Sequence, residues 1–193
     1  MAFETAHGVL TETMQSRYLH REIREGRMDL GVLEDDRVMS LQASPDGMLF
    51  FWQLHSLLGT EPVHKLLDAF YTRVFEGEDD LFRQKFEGSA GFHYQVVVQS
   101  NMYTDCFGGG KLYRGGMDRT YLHHSTVGKK LMNREGADRW HDVMVEALDE
   151  MTPEFDAVDK RIRPTMNTFL AFFMEHYGSQ FGFDTSGLKF GAS

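Results

Sequence analysis

The sequence predicts an all-α domain. Apolar residues recur at helical spacing in four long segments, no segment alternates apolar and polar residues as a half-buried strand does, and only four prolines interrupt 193 residues. Sixteen Phe, twelve Met and seven Tyr supply large, adaptable apolar groups for packing between helices. The single cysteine, Cys106, cannot form an internal disulfide, so the fold rests on burial. A chain of this length is long enough to build one core.

Residues 1–50 are charged and weakly periodic (HREIREGR, LEDDR) and close on a turn signal, SPDG at 44–47. They read as an N-terminal extension ahead of a domain over 51–180, with 181–193 as a short tail. From Glu61, residues Val63, Leu66, Leu67, Phe70, Tyr71 and Val74 form one stripe of an amphipathic helix, with Thr60 as its expected cap and Pro62 in its first turn. The acidic run EGEDD at 76–80 is expected to end that helix in solvent. A second helix is expected from about 91 to 106, with Phe92, Gln95, Val96, Gln99, Met102, Tyr103 and Cys106 on one side. Gln99 lies near the centre of that face, where an amide without a partner costs roughly 1–3 kcal/mol, so it either has a protein partner or faces a ligand.

Gly108, Gly109 and Gly110 stop this helix; with no apolar strand before them and no Gly-Lys-Ser/Thr after, they are not a phosphate loop. Residues 111–134 read as a long loop with at most a short helix, and they carry His123 and His124. A third helix is expected over about 135–151, with Trp140, Val143, Met144, Ala147, Leu148 and Met151 inward. A fourth runs from about 154 to 177, with Ile162, Met166, Phe169, Leu170, Phe173 and Tyr177 inward. Four such faces are satisfied only against one another.

A formal charge of -9 and a pI near 5.4 argue against a surface that tracks phosphates, so no nucleic-acid partner is expected. No run approaches the ~18 apolar residues of a membrane span and no secretory signal is visible, so a cytoplasmic protein without a membrane partner is expected. Nine histidines raise metal chemistry, yet neither HExxH nor a Glu-x-x-His repeat supports a zinc or di-iron site.

Four motifs in order resemble the truncated haemoglobins: LLGTEPVHKLLDAFY at 57–71, CFGGGKLY at 106–113, GMDRTYLHH at 116–124 and RWHDVMVEAL at 139–148. The resemblance, which covers about 55–177, implies a truncated-globin-like helical sandwich enclosing haem b (iron protoporphyrin IX). It implies His124 as the proximal iron ligand, with His123 its neighbouring competitor and His93 a candidate sixth ligand. Phe86 would pack on the haem, Trp140 would form a pocket wall with Met144 on the same helix, and Tyr71, Gln95 and Gln99 would make the distal side. A Tyr hydroxyl and a Gln amide there would donate hydrogen bonds to dioxygen or another diatomic ligand such as NO or CO. The resemblance further implies a gas-binding protein whose turnover, as an NO dioxygenase or a peroxidase-like enzyme, would need a reductase partner. The alternatives are a haem-based sensor that signals through residues 1–50 and a cofactor-free helical scaffold.

Overall fold

The computed structural model describes residues 2–77, 80–87 and 91–191. They form helices α1 (Val9–Arg24), α2 (Asp36–Met39), α3 (Leu54–Leu58), α4 (Glu61–Glu76), α5 (Asp80–Glu87), α6 (Phe92–Cys106), α7 (Gly116–Ser125), α8 (Arg134–Val158) and α9 (Ile162–Phe181). The only β feature among the described residues is an isolated bridge between Ala6 and Gly109. No helix among them is long and apolar enough to cross a membrane. The protein is therefore all-α, as the periodicity predicts.

Packing follows the stripes. Helix α4 lies against α6 and α8, and α8 lies against α9, so the two helix pairs stack through α4 and α8. The predicted inner residues of α4, from Val63 to Val74, are buried. Its N-terminus differs in detail: the Thr60 side chain makes no cap bond, and its hydroxyl instead lies 3.3 Å from His55 Nε2. Residues 78 and 79 of the acidic run lie outside the described residues.

The segment read as an extension contributes to the same core. Leu10, Met14, Leu19, Val38 and Phe50 are buried in one cluster with Phe51, Trp52 and the inner faces of α4, α6, α8 and α9. The Tyr18 ring packs edge-on against Phe51, Trp52 and Phe172 at 5.4, 5.9 and 5.4 Å, and Trp52 Nε1 donates to the Val38 carbonyl at 2.8 Å. Each such side chain removed from water contributes about 1.5–3 kcal/mol. The start of α1 is tied to the end of α6, because Asp105 Oδ1 accepts from the Leu10 and Thr11 amides at 3.0 and 3.3 Å. A distant carboxylate thus serves as the cap that Gly8, having no side chain, lacks.

Two boundaries move from their expected places. Helix α8 runs through Pro153 to Val158. Pro153 leaves the Asp149 carbonyl without its helical amide, while the Thr152 hydroxyl donates to the neighbouring Leu148 O at 2.8 Å. The chain breaks at Asp159, whose carboxylate accepts from the Arg161 amide at 2.9 Å while its backbone is extended. His123 and His124 sit on the last turn of α7 rather than in a loop, since Gly115, at φ +91°, turns the chain into a ten-residue helix.

Candidate functional site

One apolar cleft lies where α4, α6, α7, α8 and α9 converge, enclosing about 920 Å³ with its open mouth included. Helix α4 brings Tyr71 to it, α5 brings Phe86, α6 brings Gln95 and Gln99, α7 brings His123 and His124, and α8 brings Trp140. Six of the seven residues named from the sequence thus line a single space, although they come from five different elements. The seventh, Met144, lies one turn beyond Trp140 on α8, fully buried in the core and not on the cleft wall. His93 is exposed on the first turn of α6 and is not among the lining residues.

The geometry of His124 sets the chemistry of the cleft. Its Nδ1 lies 2.8 Å from the Thr120 carbonyl one turn back, and since a carbonyl only accepts, Nδ1 carries the proton. The Nε2 lone pair makes no hydrogen bond among the described residues. Burial is the main cause that lowers the pKa to about 4, opposed by the Thr120 bond and assisted by His123, so the ring is neutral at pH 7. Its faces pack on Tyr177 at 4.5 Å and, edge-on, on His123 at 5.0 Å. A neutral imidazole, fixed through one nitrogen by a backbone carbonyl and free at the other, is the arrangement a metal ligand requires. His123 also lines the cleft, and burial followed by the nearby Arg119 lowers its pKa too.

The remaining polar groups are hydrogen-bond donors. Tyr71, Tyr103 and Tyr177 all line the cleft, and burial pushes each phenol upward, so all three stay protonated. The Tyr177 hydroxyl is buried without a hydrogen-bond partner, and Tyr71 and Tyr103 line the same cleft. Gln99 is half-buried on the same wall as Tyr103, one turn away, and Gln95 is buried. Phe86 meets the Tyr71 ring at 5.9 Å, and Trp140 meets Phe70 at 5.6 Å, which holds both aromatic walls in place. The cleft thus pairs one uncommitted imidazole nitrogen with several donors in an apolar surround.

Among the described residues no group of three or more His, Cys, Asp or Glu is placed to hold a metal ion. A single imidazole suits a metal that brings its other ligands with it, and an iron porphyrin does so. The apolar, aromatic walls fit the faces of such a macrocycle, and the unpartnered Tyr177 hydroxyl fits a small acceptor bound beside it. Tyr103 and Tyr177 had a sequence signal, since both fall on inner stripes, but a stripe does not separate a core ring from one that faces a cavity. No family model matches the chain, and neither a curated protein nor a solved structure is recognisably similar to it.

Proposed function

We propose that the protein is a haem b protein of truncated-globin-like architecture that binds diatomic gases, with His124 as the iron ligand. The observation that carries this reading is the state of His124: neutral, anchored through Nδ1 to the Thr120 carbonyl, with Nε2 uncommitted in an apolar cleft. Bound there, haem supplies an iron with an open coordination position for dioxygen, nitric oxide or carbon monoxide. The chain's own residues do the rest. The Thr120 carbonyl holds the imidazole ring in one orientation and one tautomer. Phe86 and Trp140 bring apolar surface that excludes water. The Tyr71 and Tyr103 hydroxyls and the Gln99 amide offer donors to a ligand atom that gains negative charge, where charge-assisted bonds are strongest.

The test is the absorption spectrum of the purified protein with one equivalent of haem, in ferric, ferrous and ferrous-CO forms, for wild type and His124→Ala. A sharp Soret band and a histidine-type CO complex in the wild type, both lost in the variant, are expected. A wild-type spectrum like that of free haemin would remove the haem reading and favour the cofactor-free scaffold. An unchanged spectrum in His124→Ala would keep the haem and transfer ligation to His123.

A further inference from the structure

The cations of this acidic chain are unevenly satisfied. Elsewhere most are held by carboxylates, as Arg27 is by Glu22 at 2.6 Å, Lys65 by Glu154 at 3.0 Å and Arg73 by Glu150 at 2.6 Å. Lys111, Arg114, Arg119, Lys129 and Lys130, all within twenty residues, form no ion pair with any described residue, and Asp118 is the only acidic residue among them. Arg119 is held instead by neutral groups, bonding the Arg114 carbonyl and the Tyr94 hydroxyl, both at 3.3 Å, and lying 4.7 Å from the Tyr113 ring. On the same stretch Leu112, Tyr121, Leu122 and Val127 are 43% to 62% exposed. This stretch borders the cleft, for His123, Val127 and Gly128 line it.

Resting on the haem reading for its purpose, though not for its geometry, we propose that residues 111–130 form a docking surface for an acidic electron-carrier protein. Unpaired cations meet carboxylates on the partner without first breaking ion pairs of their own, and they steer an acidic partner towards this side of the molecule. The exposed apolar side chains among them supply the dry contact that a small, transient interface needs. In a productive encounter the reduced carrier would give up one electron, and a ferric haem iron held by His124 would take it up to become ferrous. A protein is favoured over an anionic bilayer because its footprint meets only this stretch, whereas an extended membrane surface meets a molecule of formal charge -9.

The probes are two acidic carriers, a plant-type [2Fe–2S] ferredoxin and a flavodoxin, titrated against the full chain by calorimetry. The variants are K111E/R114E, K129E/K130E and, as a charge-matched control outside this stretch, R37E/K160E, and the haem spectrum of each is recorded first. Binding is expected to weaken at least about tenfold in each of the first two, to be unchanged in R37E/K160E, and to fall steeply with added salt. Equal loss in R37E/K160E would reduce the effect to net charge and overturn the proposal. So would the absence of binding to both carriers, or binding to phosphatidylglycerol vesicles in their place. Docking that fails while the haem spectrum is normal overturns this inference alone; a spectrum of free haemin beside intact docking overturns the haem reading alone.

Discussion

His55 shows how burial turns a histidine into a pH-dependent element of stability. It is 8% exposed, and burial is the main cause that lowers its pKa below the ordinary 6.5. Folding therefore favours the neutral ring, and the unfolded chain takes up the proton first. Its contribution is complete above pH 6.5 and is lost as pH falls below that value. His55→Phe is accordingly expected to flatten the pH dependence of the unfolding free energy below pH 6.5, measured by urea denaturation at a series of pH values; an unchanged slope would assign the acid sensitivity to other groups. At this scale much of the site was legible. Gln99 stands out as an amide on an apolar stripe, whereas Tyr71, Gln95 and His124 are singled out only through the resemblance to the truncated haemoglobins. Tyr103 and Tyr177 do not stand out, because tyrosine on an inner stripe is ordinary until the cleft it lines is seen.

Among the elements, legibility followed how purely apolar each buried face is. Helix α4 buries Val63, Leu66, Leu67 and Phe70 and reads clearly from the sequence. Helix α1 buries Thr11, Gln15 and Glu22 beside Leu10, Met14 and Leu19, so its stripe looks broken. Those polar residues are satisfied by partners far from the pattern: Gln15 donates to the Met39 carbonyl at 3.3 Å and Glu22 accepts from Arg27 at 2.6 Å. The glycine run after α6 was read correctly as a stop, but its reason lies in packing. Gly108 has φ +87°, and a Cβ there would stand 2.3 Å from the Trp52 carbonyl oxygen, whereas one at Gly110, φ +96°, would meet only the Ala6 Cβ at 3.6 Å. Both alanine substitutions carry the left-handed penalty of about 1–2 kcal/mol, and Gly108→Ala adds displacement of the Trp52 backbone. Chemical denaturation is expected to show Gly108→Ala as the more damaging by at least about 1 kcal/mol.

The buried residues of the molecule form one core, to which its first fifty residues contribute. A chain lacking residues 1–50 would lose Leu10, Met14, Tyr18 and Leu19 and expose the aromatic cluster around Phe51 and Trp52. The truncated protein is expected to be aggregated or to lack a cooperative thermal transition, as calorimetry and gel filtration would show. A folded truncation with normal ligand binding would return the segment to the status of an appendage. The all-helical class was legible because four stripes sufficed to reveal it. The share of 1–50 in the core was not, because it rests on contacts between residues far apart in the chain.

The carboxylate of Asp105 that caps α1 lies 95 residues after Leu10. During synthesis, α1 leaves the ribosome long before its acceptor is made, and until then its first amides have only water or transient neighbours as partners. The first helix of the chain is thus capped only once α6 has been made, and the closure of this long loop ties the order of folding to the arrival of α6.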